Sequence, residues 1–219
     1  MRTRTALVIA LVTACGAISA CGGGDDEDDA GVALPEGCES VEEPAAKDVK
    51  LDRPKRFEAP PSGEVAVVET SCGSFEIELD TASSPKTTAS FARLVEAGLY
   101  DGTAFHRIVP EFVIQGGDPL GDGTGGPGYF VDEPPPNDVE YTKGTVAMAK
   151  TEVEPPGRSG SQFFVVVAAD AGLPTDFAVL GEVNSGLDVV QRIAALGDPA
   201  AGQEGAPLAP VVIEGITLR

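Results

Sequence analysis

The chain has 219 residues, 15 Lys+Arg against 35 Asp+Glu, and a formal charge of −20. That length suits one folded domain once the atypical N-terminal stretch is set aside, and the acidity argues against nucleic acid as a partner, because phosphate backbones are bound by Lys and Arg. With one histidine and four separated cysteines, no cluster has the spacing of a zinc site, and neither a metal nor a cofactor is expected.

In chain order, residues 1–20 carry Arg2 and Arg4, an apolar run over 6–14, and then small residues leading to Ile18, Ser19, Ala20 and Cys21. This is the pattern of a secretory signal, and its apolar run is shorter than the roughly 20 residues a membrane span needs. Its removal takes the charge to −22 (13 Lys+Arg against 35 Asp+Glu). Small residues before a cysteine resemble the lipobox of bacterial lipoproteins, whose cysteine receives a lipid on its thiol and, after cleavage, becomes the new N-terminus. Cys21 is the expected lipidation site; Cys15 fits less well, since it sits too early to leave a full apolar region. The address implied is extracytoplasmic, anchored by lipid to the bacterial cell membrane. Gly22, Gly23, Gly24 and the acidic run Asp25, Asp26, Glu27, Asp28 and Asp29 read as a solvated spacer, so 21–62 is expected to be a lipid-anchored flexible tether and linker.

Cys38 and Cys72 are then the remaining thiols. In an oxidising compartment they are expected to pair, pinning the segment 38–62 to the first strand pair; two free buried thiols are the alternative.

The folded domain is expected over 63–219. Strands are expected at 64–70 and 75–79, the second with Phe75, Ile77 and Leu79 on one face and Glu76 and Glu78 on the other. Ser84 is a good N-cap with Pro85 in the first helical position, Phe91, Leu94 and Val95 follow at helical spacing, and Gly98 ends the helix. Further strands are expected at 104–109, 111–115, 145–149, 161–168, 178–183 and 209–218, and a second helix at 187–196, with Leu187, Val190, Ile193 and Ala194 along one face. Many of the 27 Gly and 18 Pro fall between 116 and 156, which predicts long loops carried by strands. The expected architecture is mostly β: a closed antiparallel eight-stranded barrel capped by two α-helices.

Two segments concentrate the chemistry. Between 105 and 117 a single cation, Arg107, sits among apolar residues, with Phe112 and Gln115 following; at 160–164, Gln162 and Phe164 are two apart and share a strand face. One guanidinium, two amides and two phenyl rings make an apolar pocket with a few aimed donors, and no nucleophile accompanies them.

These residues carry a resemblance over about 64–218 to the cyclophilin family of peptidyl-prolyl cis-trans isomerases. It includes Phe-His-Arg-Ile at 105–108, Phe112, Gln-Gly-Gly-Asp at 115–118, Gly-Thr-Gly-Gly at 123–126, Ala-Met-Ala at 147–149, Gly-Ser-Gln-Phe-Phe at 160–164 and Leu-Gly-Glu-Val at 180–183. The resemblance implies a cyclophilin-like barrel acting on proline-containing segments of unfolded or exported proteins, as a monomer. It implies that Arg107 stabilises the twisted amide, with Gln115 and Phe112 as its catalytic companions. Ala149 and Gln162 hold the peptide, Phe112, Val113, Phe164 and Leu173 surround the proline ring, and Phe177, at the pocket rim, is counted with the substrate-binding residues. His106 is counted with the substrate-binding residues, although a reaction that transfers no proton offers it no general-base work.

The chain also departs from the family pattern. Gly172 stands where many members have Trp, Phe177 where many have His, and Val113 where Met is frequent, so weak cyclosporin binding is expected. A different class of function, a non-catalytic module or holdase that binds proline segments at the cell surface, stays open at this stage.

Overall fold

The computed structural model describes residues 32–58, 60 and 64–219. The signal segment, the acidic run, Cys15 and Cys21 lie outside the described residues.

Alternation of apolar and polar residues produces the first hairpin, β1 (Val65–Thr70) and β2 (Gly73–Leu79). Ala66 faces Ile77 and Val68 faces Phe75, and these four side chains are buried in the core. Helix α1 (Pro85–Glu96) follows. Its Phe91 and Leu94 are fully buried, each contributing about 1.5–3 kcal/mol relative to exposure. Ser84 holds the N-cap position before Pro85 as expected but makes no side-chain cap bond; instead the Glu133 carboxylate accepts from the backbone N–H groups of Lys86 (3.1 Å) and Thr87 (2.7 Å). An anion suits the positive end of a helix better than a hydroxyl does. Gly98, with φ of +66°, ends the helix as expected.

The chain continues through β3 (Thr103–Ala104), β4 (Arg107–Val109), β5 (Val113–Gly116), β6 (Val131–Asp132), β7 (Thr145–Met148), β8 (Arg158–Ser159), β9 (Phe163–Val166) and β10 (Val179–Ser185). Helix α2 (Leu187–Ala194), a 3-10 helix (Pro199–Glu204) and β11 (Val212–Leu218) complete it. The expectation of a closed eight-stranded barrel with two helices is overturned. Nine strands form one open sheet in the order β3-β11-β1-β2-β10-β7-β9-β5-β4, β6 and β8 form a separate pair, and the helices number three among the described residues.

The single strand expected at 104–109 is two strands at opposite edges of this sheet. Phe105 donates its N–H to Val211 O (2.9 Å), whereas Ile108 donates to Gly205 O (2.7 Å). The residue just beyond the 3-10 helix therefore satisfies the β4 edge that a closing strand would need, covering it with a loop instead.

Period-two alternation also separates two apolar clusters. Ile114, Phe163, Val165, Val146 and Met148 point into the main core under the helices. Their neighbours Val113, Phe164, Val166 and Ala147 form a second cluster, on the opposite sheet face.

Residues 32–58 lie against the domain. Cys38 and Cys72 form a disulfide, and the N–H groups of Glu39, Lys47 and Leu51 donate to Ser71 O (2.7 Å), Pro119 O (2.7 Å) and Pro127 O (2.8 Å). Leu34, Val49, Leu51 and Phe57 pack on the main core. This segment is called the strap below.

Candidate active site

The antiparallel register of three strands assembles the predicted residues. Arg107 on β4 faces Gln115 on β5, Gln115 faces Phe164 on β9, and Phe164 faces Ala147 on β7. Since 107, 115 and 164 share a face, the guanidinium, the amides and the ring emerge on the side away from the main core.

A bonded series runs through the polar groups. Arg107 donates from Nη1 to Gln115 Oε1 (3.3 Å) and from Nε to Gln203 O (2.9 Å). Gln115 donates from Nε2 to Gln162 Oε1 (3.0 Å). Gln162 in turn donates from Nε2 to the carbonyls of Gly123 (2.9 Å) and Gly125 (3.0 Å). Among the described residues Nη2 of Arg107 has no partner, so it remains free to donate outward. Burial lowers the guanidinium pKa from its ordinary value, the sign expected of a cation that has given up hydration. The Arg107 guanidinium lies 5.9 Å from the Phe112 ring centroid.

Beside this series lies the second apolar cluster. Val113 and Phe164 are buried in it, and Phe112, Ala149, Leu173 and Phe177 pack against it partly exposed. Phe164 meets Phe177 edge-on with ring centroids 5.4 Å apart. Phe112 is presented by a turn in which Pro110 precedes Glu111 at φ +59°, and Phe112 N–H closes it on Val109 O (3.1 Å). A glutamate in that left-handed conformation costs about 1–2 kcal/mol, so the turn is strained where it presents the ring.

His106 stands apart from the bonded series. Its two ring nitrogens are buried with no partner among the described residues, and burial lowers its pKa below the ordinary value against the opposing pull of Asp118. The folded protein therefore resists protonating it, while the unfolded chain does not. Stability is full above the ordinary histidine pKa of about 6.5 and falls as pH drops below it. In urea unfolding at pH 7.5 and 5.5, wild type is expected to lose more stability over that interval than His106→Phe. Equal losses in the two proteins would show that the ring does not carry this dependence.

Two contributors, Gln203 and Tyr141, were invisible in the sequence pattern. Gln203 acts through its carbonyl, which has no side-chain signature. Tyr141 donates from its hydroxyl to Phe177 O (2.7 Å) and accepts from Phe177 N–H (3.0 Å), fixing that residue from 36 positions away. Lys150 places its ammonium 5.4 Å from the Phe177 ring and pairs with Asp176 at 3.5 Å. Gly172, where the family pattern often has Trp, has φ of +61° and open space around the position a side chain would take.

Next to the apolar patch is a cavity of about 650 Å³, bordered by Gln115, Ala149 and Gln162 on the sheet side. Arg107, Phe112 and Phe164 lie outside its lining. Among the described residues no group of His, Cys, Asp and Glu could hold a metal ion, and no helix is long and apolar enough to cross a membrane.

Residues 65–218 match the model of the family described as "Cyclophilin type peptidyl-prolyl cis-trans isomerase/CLD". The "Probable peptidyl-prolyl cis-trans isomerase B" of Mycobacterium leprae is 38% identical over 190 residues, covering 80% of this chain and 63% of that protein. The peptidyl-prolyl cis-trans isomerase B of Streptomyces anulatus is 41% identical over 173 residues, covering 70% and 95%. A crystal structure of a Cryptosporidium parvum cyclophilin type peptidyl-prolyl cis-trans isomerase superposes with a TM-score of 0.64 at 28% identity, covering 71% of this chain and 97% of that one.

Proposed function

The chain belongs to the family of cyclophilin-type peptidyl-prolyl cis-trans isomerases, and from that membership we infer how its site turns over proline-containing segments. Rotation about an X-Pro amide must overcome a resonance barrier of about 20 kcal/mol. Resonance is lost when the prolyl nitrogen becomes pyramidal, and a donor aimed at its lone pair stabilises the twisted amide more than the planar one. Arg107 supplies that donor, Gln115 orients it, and Gln162 and Ala149 hold the substrate chain. The wall formed by Phe112, Val113, Phe164, Leu173 and Phe177 receives the proline ring and lowers the local dielectric, which strengthens the guanidinium contact.

The observation that carries this reading is the bonded series from Arg107 through Gln115 to Gln162 beside the aromatic patch. A module that only bound proline segments would have no use for a cation oriented in this way. The test is exchange NMR on a proline peptide with the protein present. Faster cis-trans exchange is expected, and an unaccelerated rate would refute the assignment.

We further propose that the domain begins near residue 63 and works outside the cytoplasm on unfolded or exported proteins, as a monomer. Export through the 1–20 signal and acylation of Cys21 would hold it at the membrane by lipid alone, with 21–62 joining the anchor to the domain and its part 32–58 packed down as the strap. The support is the pattern around Cys21 together with a disulfide between Cys38 and Cys72, a bond favoured in oxidising compartments. Metabolic labelling with a fatty acid is expected to mark the full-length protein and not Cys21→Ala; label retained by the variant would move the anchor to Cys15.

A further inference from the structure

We propose that strap residues 47–50 form the outer wall of the substrate cleft and select segments with a bulky apolar side chain near the proline, an inference that rests on the isomerase reading above. The strap lies outside the family-matched residues 65–218, so this wall is an addition to the family domain.

The strap is built into the site. Lys47 N–H bonds Pro119 O and Leu51 N–H bonds Pro127 O, pinning both ends of the glycine-rich loop. Between those pins the loop offers Gly123 O and Gly125 O to Gln162, which is bonded to Gln115, and Gln115 to Arg107. Lys47 also reaches Asp101 O with its ammonium. The strap therefore supports, through the loop, the amides that orient the guanidinium.

The strap also shapes the adjoining space. Lys47, Asp48, Val49 and Lys50 border the cavity of about 650 Å³ whose other side is Gln115, Ala149 and Gln162. Ala149 belongs both to this lining and to the apolar patch. A peptide that seats its proline on the patch and leaves across Ala149 enters the cavity, so the occupant is a residue flanking the proline in the same substrate.

The chemistry of the walls indicates which residue fits. Val49, Leu120, Pro127, Tyr129 and Phe130 contribute apolar lining. Leu120 (36% exposed) and Phe130 (52%) are two of the five exposed large hydrophobic side chains among the described residues. The charges present offset one another or are engaged. Asp48 and Lys50 have opposite signs two positions apart, Lys150 pairs with Asp176, and the Glu154 carboxylate accepts from Thr151 N–H and Oγ1. A side chain built on Gly123 or Gly126 would meet nothing within 4 Å, so the space over the loop is open. A roomy, mostly apolar cleft favours a large apolar side chain.

The test compares proline peptides with Phe or Ala placed in turn at each of the two positions before and after the proline. They are assayed with the full chain, with Val49→Asp, and with the double variant Cys38→Ser/Cys72→Ser, which removes the covalent anchor of the strap. For wild type, kcat/KM at the best Phe position is expected to exceed the Ala peptide at least fivefold. In both variants the ratio should fall below two; in Val49→Asp, which leaves the backbone pins of the loop in place, the fall should come through a rise in KM for the Phe peptide with kcat changed less than twofold. A wild-type ratio of one at every position would overturn the apolar preference. A ratio that persists in both variants would show that the cleft selects without the strap. If wild type turns over neither peptide, the isomerase reading itself falls, and this inference with it.

Discussion

Arg107→Ala is expected to lower kcat/KM on a proline peptide by about 100-fold or more, while peptide affinity stays within several-fold. The guanidinium is held at two of its nitrogens, by Gln203 O and Gln115 Oε1, with Nη2 without a partner among the described residues. A donor fixed before reaction acts on the pyramidal nitrogen without reorganising, and removing one such donor costs about 2.7–4 kcal/mol of transition-state stabilisation. The planar ground state has no lone pair to offer, so binding depends mainly on the apolar wall. Gln115→Ala should lose less, because it loosens the donor without removing it. The measurement is exchange NMR for turnover beside chemical-shift titration for affinity, with a thermal melt to confirm folding. Turnover within fivefold of wild type in Arg107→Ala would remove the guanidinium from the mechanism.

Reduction of the Cys38–Cys72 bond is the largest expected effect on stability. The bridge spans a sequence separation of 34, and closing a loop of that size restricts the unfolded chain by about 3–4 kcal/mol in the chain-entropy model. Against a typical total of about 5–15 kcal/mol, that loss should lower the melting temperature by about 10 °C. Cys72 is buried at the turn between β1 and β2, and Arg192 donates from Nη1 to its carbonyl (2.7 Å). The bond therefore ties the strap to a well-anchored point. Thiol treatment and Cys38→Ser should give the same shift; an unchanged melt in both would mean the strap is held by its other contacts alone.

Most of the site was legible because its elements repeat every two residues. Gln162 and Phe164 had to share a face if 161–168 was a strand, and Arg107, Phe112 and Gln115 fell in one short stretch that had to turn back on itself at Pro110. The family resemblance supplied the roles. Neither route could find the Gln203 and Gly123 carbonyls, since any residue can present a backbone oxygen. Glu133 as the cap of α1 was equally hidden, because the local signal at Ser84 was good and the competing carboxylate lies 47 residues from Lys86. The strap read as linker because its partial periodicity marks neither helix nor strand, although Val49, Leu51 and Phe57 are the residues that pack it down.

Alternating hydrophobicity and local caps by themselves determined the strand-rich class, the positions of both α-helices, and an apolar pocket carrying one arginine and two glutamines, whose proline-binding role came from the family resemblance. Only the tertiary structure decided that the stretch 104–109 divides between the two edges of an open nine-stranded sheet. It also decided that a backbone carbonyl beside the 3-10 helix, rather than a closing strand, satisfies the β4 edge, and that the strap borders the cleft. The physical reason is the same in each case. Side-chain pattern records which face is buried, whereas edge pairing and loop docking are chosen by backbone donors and acceptors, which every residue carries alike.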